Sequence, residues 1–191
     1  MPKISAPTVA EHRVLQRNSI VAAAKAILAE QGVASITPRS VGQRAGLARS
    51  SFYEYFPSRD DLLAAVALEA FEKWADALWA AMEPHSDPTE KLRAYVRATM
   101  RMTKDEDHCL AMPLLQADLS PRSREALAQM HDVLARPLRA LLEELKVDRI
   151  EESMLLVQGV LAAGMRMAAQ GKDADDVAEI TLRLLEQGIA R

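Results

Sequence analysis

The chain has 191 residues, of which 49% are hydrophobic and 27% charged, the make-up of a globular protein with material for one sizeable core or two small ones. A single cysteine, Cys109, excludes an intrachain disulfide, and its spacing to His108 and His131 offers no zinc site, so no metal or cofactor is expected. The net charge of −3 is unevenly divided: residues 1–60 hold eight Lys/Arg against four Asp/Glu, and residues 61–191 hold sixteen against twenty-three.

Taken in order, MPKISAPTVAEHR lacks the apolar segment of a signal peptide, and no later run reaches membrane-spanning length, so a cytoplasmic protein is expected. A first helix should begin near Val9 or Arg17 and end at Gln31, with Ile20, Ala24, Ile27 and Leu28 on one face and Gly32 as its stop. Thr37 before Pro38 signals the next start, because threonine caps an exposed N–H and proline is tolerated in a first turn.

Val41, Ala45 and Leu47 give this short helix its apolar side, and Gly46 can take the positive φ that a tight corner demands. Phe52 and Phe56 mark a second short helix. Together these form the spacing of a helix-turn-helix. The rest of the second helix presents Arg49, Ser50, Ser51, Tyr53 and Tyr55, groups able to bond phosphates and base edges, which points to duplex DNA. An ordinary helical hairpin shares the bare pattern; the concentrated positive charge of residues 1–60 favours the DNA reading.

Pro57-Ser58 introduces a long helix from Arg59 to about Met82, capped by Ser58, with Asp60 and Asp61 at its positive end and Leu62, Val66, Ala70, Trp74 and Leu78 on the buried side. After the break at Pro84 to Pro88, helices are expected over Thr89–Thr103, Leu110–Leu119, Pro121–Lys146, Asp148–Gln170 and Asp173–Ala190, with Pro137 bending the third of these. The predicted class is all-α with about nine helices, divided into residues 1–60 and 61–191.

The last two helices suit a twofold contact. Gly159, Ala162, Ala163 and Gly164 permit close approach, and Val177, Ile180, Leu184, Leu185 and Gly188 form an apolar stripe that one chain would struggle to cover. The middle of the chain is rich in aromatic and deformable side chains. Trp74, Leu78, Tyr95, Met112, Met130 and Met154 are the candidate lining of a pocket for an apolar or aromatic small molecule, although a methionine or tryptophan at helical spacing serves equally as core.

From about Arg17 to Leu62 the sequence resembles the DNA-binding domain of the TetR/AcrR family of bacterial transcriptional regulators, through IVAAAKAILAEQG, ITPRSVGQRAGLARSSFYEYF and PSRDDLL. Gly32, Thr37, the Ala45-Gly46-Leu47 turn, Tyr53, Phe56 and the basic Arg59 agree in order and spacing. Three positions depart from the usual pattern. Ala48 stands where a capping Ser or Thr is usual, Ser50 where glycine is common, and Arg59 where lysine is more frequent.

The resemblance implies a ligand-responsive transcriptional regulator with no enzymatic activity: a homodimer, joined through a four-helix interface, that binds a palindromic operator and is released as a repressor by a small apolar effector. It places Thr37, Tyr55 and Arg59 at phosphates and Arg39, Arg44, Arg49, Ser50, Ser51 and Tyr53 toward the groove. It places Gly159, Ala163, Val177, Ile180 and Leu184 at the dimer contact. A helical adaptor that has lost DNA binding is the alternative, to which the uncapped Ala48 lends support. No paired carboxylate, nucleophile–base set, phosphate loop or Glu-x-x-His pair stands in the sequence, so an enzyme is not expected.

Overall fold

The computed structural model describes residues 9–105, Leu114 and 121–189, with the side chains of Arg49, of 121–124, 126–132 and 134, and of the terminal residues Val9 and Ile189 left aside. Eight helices are described: α1 Val9–Gln31, α2 Pro38–Ala45, α3 Arg49–Tyr55, α4 Arg59–Met82, α5 Pro88–Arg101, α6 Pro121–Glu144, α7 Ile150–Ala169 and α8 Ala174–Ile189. Single 3-10 turns occupy Val33–Ser35 and Met102–Lys104, and no strand occurs among the described residues. The helix expected over Leu110–Leu119 lies outside the described residues except for Leu114, which is helical and buried.

Two compact units divide the chain, and α4 passes from one to the other between Leu68 and Glu69, as α6 does between Leu127 and Ala128. The expected division at 60/61 falls at the start of α4, because its first turns supply Leu62, Leu63 and Val66 to the N-terminal core. That core also takes Ile20, Ala24 and Ile27 of α1, Ile36, Val41 of α2, Phe52 of α3 and Phe56, which caps its end. Phe52 and Phe56 lie 6.0 Å apart between ring centroids, and the Arg17 guanidinium sits 5.2 Å from the centre of the Phe56 ring. Burial of either phenylalanine stabilises the unit by about 1.5–3 kcal/mol, a large share for so small a domain.

In the second unit, α5 packs against α7 and α8, and α7 against α8. Gly164 permits this approach: a Cβ there would lie 2.7 Å from Met100 Cε and 3.0 Å from Thr181 Oγ1. Along the solvent edge, Arg93, Arg97 and Arg101 of α5 pair with Glu186, Glu179 and Asp175 of the antiparallel α8 at 2.8, 2.8 and 2.9 Å. Four-residue spacing on α5 puts the three arginines on one face, so the ladder fixes register more than it adds stability.

α6 continues through Pro137, as the unbroken period of Leu138 and Leu141 requires, and both leucines are buried. Its end differs from expectation by two residues. Lys146 adopts φ 55° and its N–H bonds Glu143 O at 3.0 Å, while Val147 N–H bonds Leu142 O at 3.1 Å, so a left-handed lysine performs the closing turn usually given to glycine.

Candidate nucleic-acid interface

α2 begins with a reciprocal cap. Ser40 N–H donates to Thr37 Oγ1 and Thr37 N–H donates to Ser40 Oγ, each at 3.0 Å, with Pro38 in the first turn. It ends at Gly46, whose φ of 69° is left-handed, and Leu47 N–H closes the corner on Gly42 O at 2.8 Å. α3 follows Ala48, which gives it no side-chain cap, and Ser51 N–H donates to Ala48 O at 3.0 Å.

Phe52 and Phe56 anchor α3 inward and thereby turn its other side out. Ser50 is exposed, Tyr53 is 47% exposed, and Ser51 and Tyr55 are half-buried. Thr37 and Arg39 of the α2 side are exposed as well. The Tyr53 ring is steadied by an edge contact with Phe52 at 5.3 Å. Arg49 opens α3, and its side chain lies outside the described residues.

Two of the arginines expected at DNA have protein partners. Arg44 forms a two-pronged pair with Glu30 of α1, Nη1 to Oε2 at 2.6 Å, which holds the Glu30 carboxyl below its usual range and raises the guanidinium in turn. Arg59 is turned to the α1–α2 connection: Nε donates to Ile36 O and Nη2 to Val33 O, both at 2.7 Å. Both carbonyls lie within reach of the guanidinium fork, so Arg59, expected at a phosphate, has two backbone acceptors of its own chain.

The sequence reading missed one neighbour of this surface. α1 starts at Val9, which brings Arg13 Nη2 within 3.4 Å of Glu54 O at the end of α3, and His12, Arg13, Glu54 and Tyr55 line a depression of about 440 Å³. The choice left open between Val9 and Arg17 carried the only sequence signal of it.

Of the candidate pocket residues, Trp74, Leu78, Tyr95 and Met154 are all buried in the second unit. Trp74 packs edge-on to Phe71 at 5.2 Å, and burial pushes the Tyr95 phenol up to about 12, so it remains neutral at every physiological pH. Met112 and the Met130 side chain lie outside the described residues. A separate groove of about 470 Å³, lined by Trp79, Met82, His85, Lys91, Leu141 and Glu144, opens at the end of α4.

Of the candidate dimer residues, Ile180 and Leu184 are 42% and 60% exposed and Gly159 is exposed, with Ala163 half-buried. Val177 is corrected: it is buried among its own chain's side chains, as are Leu185 and Gly164, because they fall on the side of α8 and α7 that meets α5. Leu155 and Leu156 of α7, at 71% and 73% exposure, are apolar members of the outer face that the small-residue pattern did not reveal.

Comparison with known proteins accords with this geometry. Residues 20–66 match the model of the family described as bacterial regulatory proteins, tetR family. The chain is 27% identical over 179 residues to the HTH-type transcriptional regulator BetI of Rhizobium meliloti (strain 1021), covering 94% of this chain and 75% of that protein. The fold matches that of the fatty acid degradation regulator FadR from Bacillus halodurans with a TM-score of 0.71 at 20% identity, over 89% and 94% of the two chains. RolR, solved in complex with resorcinol, matches with a TM-score of 0.62 at 26% identity, over 92% and 89%. The family match over residues 20–66, the relative that is similar over most of its length and the shared fold agree that residues 20–66 resemble a tetR-family DNA-binding domain within a chain similar to transcriptional regulators.

Proposed function

We propose that the protein is a cytoplasmic repressor that binds a palindromic operator as a homodimer and leaves it when a small apolar or aromatic molecule enters the second unit. The observation that carries the reading is the outward face of α3. A seven-residue helix anchored by Phe52 and Phe56 has no use for Ser50 and Tyr53 in its own core, and both are exposed, as is Arg39 of α2. Base readout is assigned to Arg49, Ser50 and Ser51, with Tyr53 and Arg39 beside them and Thr37 and Tyr55 at phosphates.

One α3 covers too few base pairs for useful selectivity. Two copies held about 34–36 Å apart meet successive major grooves, and the exposed Leu155 and Leu156 of α7 and Ile180 and Leu184 of α8 are apolar side chains of the kind a twofold mate covers. For the effector, the buried aromatic set of Trp74, Phe71 and Tyr95 together with the resorcinol bound by RolR favours a planar, weakly polar molecule. Release by such a molecule requires differential affinity, and each tenfold loss of operator binding corresponds to about 1.4 kcal/mol of preference for the DNA-incompetent form.

The test is retardation of the duplex immediately upstream of the protein's own gene, followed by challenge with a panel of phenols and fatty acyl compounds. Specific retardation reversed by one class supports the proposal. Absence of retardation at low salt supports a protein-binding adaptor instead.

A further inference from the structure

We propose that Arg59 is a positioning residue that locks the reader pair α2–α3 to the first turn of α4, so that α4 cannot move without carrying the DNA-reading helix with it. The inference rests on the DNA-binding reading above and adds the device by which the reader is held in register. Arg59 Nε and Nη2 reach the carbonyls of Ile36 and Val33, each at 2.7 Å. Those carbonyls belong to the 3-10 turn and the residue that follows it, immediately before the α2 cap at Thr37.

The same connection is tied from its other side. Ser40 Oγ donates to Ser35 O at 2.7 Å, and Ser35 and Ile36 N–H groups close the turn on Gly32 O and Val33 O, each at 3.2 Å. Beneath it the Ile36 side chain is fully buried. On the α4 side, Ser58 N-caps the helix by accepting from Asp61 N–H at 3.1 Å and donating to its carboxylate at 2.7 Å, so the residue bearing the guanidinium sits in a fixed first turn. From Thr37 onward the reader is one piece: the cap starts α2, and the Leu47–Gly42 bond joins it to α3.

The side-chain chemistry matters here. A guanidinium carries donors in a rigid fork that spans two carbonyls three residues apart, whereas a lysine ammonium is a point charge on a flexible stem. A shift of α4's first turn by more than about 1 Å would take both bonds out of hydrogen-bond range or drag the connection along. Two charge-assisted bonds are enough to make dragging the easier course.

The experiment compares wild type, Arg59→Gln and Arg59→Lys in full-length protein by operator titration across salt concentrations and by hydrogen exchange without DNA. The clamp predicts that both variants lose about tenfold or more in operator affinity with an unchanged salt slope, and that amides of residues 37–41 exchange faster in both. A phosphate contact predicts the reverse: Arg59→Gln reduces the salt slope by about one, Arg59→Lys behaves as wild type, and exchange is unaltered; that result overturns the proposal. If wild type binds no duplex, the DNA-binding reading fails, and unchanged exchange in the two variants still overturns the clamp by itself.

Discussion

The carbonyl oxygen of Leu47 lies 3.1 Å from where a Cβ on Gly42 would stand, so the corner of the helix-turn-helix is built on two glycines and not one. Gly46 supplies the left-handed backbone, with open space around it, and Gly42 supplies room for the returning chain. Alanine at a helical position normally gains about 1 kcal/mol over glycine. At Gly42 that gain should be outweighed, because the obstructing atom is backbone held by the Leu47–Gly42 hydrogen bond, and Gly42→Ala should destabilise by about 1–2 kcal/mol in urea denaturation. A more stable Gly42→Ala protein would show that the corner opens freely.

Lys146 invites the opposite substitution. Its left-handed backbone is costly for a side chain and free for glycine, and the residue is exposed, so Lys146→Gly should raise stability by about 1 kcal/mol. A fall in melting temperature would mean that the lysine side chain contributes more than its backbone costs.

Acid should weaken the start of α8. Asp173 Oδ1 accepts from the N–H groups of Asp176 and Asp175 at 3.1 and 2.9 Å, and these bonds hold its carboxyl below the usual range. A depressed folded-state pKa means stabilisation that is complete above the unfolded value and fades as pH falls through the folded one. Asp173→Ala should therefore melt earlier than wild type at neutral pH, with the gap closing in strong acid. A gap independent of pH would remove the carboxylate from the account.

Leu155 and Leu184 test the outer face of α7 and α8. If two copies meet there, Leu155→Glu with Leu184→Glu places four carboxylates in the contact and should shift sedimentation from dimer to monomer without loss of helical content. A double variant that stays dimeric would locate the contact elsewhere.

Much of the fold was readable because period and punctuation agreed. Ile20, Ala24, Ile27, Leu62, Val66, Ala70, Trp74 and Leu78 are all buried as their helical spacing requires, and Thr37, Gly46 and Ser58 mark boundaries by chemistry that works locally. What sequence could not supply was the partner across space. Arg44 and Arg59 read as cations available to DNA, because nothing local discloses Glu30 fourteen residues earlier or the carbonyls of Val33 and Ile36. Val177 and Ile180 share one apolar stripe, and only packing against α5 decides which is core and which is surface. Gly42 gave no sign, since its requirement comes from a carbonyl returning after the turn.

The central claim is that the outward face of α3 enters the major groove in duplicate, and hydroxyl-radical footprinting of the upstream duplex tests it most directly. Wild type should protect two patches related by twofold symmetry and centred about one helical turn apart, and the double variant Ser50→Asp with Tyr53→Ala, both exposed positions, should abolish both while keeping its helical content and a cooperative melt. An unchanged footprint from that folded variant, or a single unsymmetrical patch from wild type, would contradict the account.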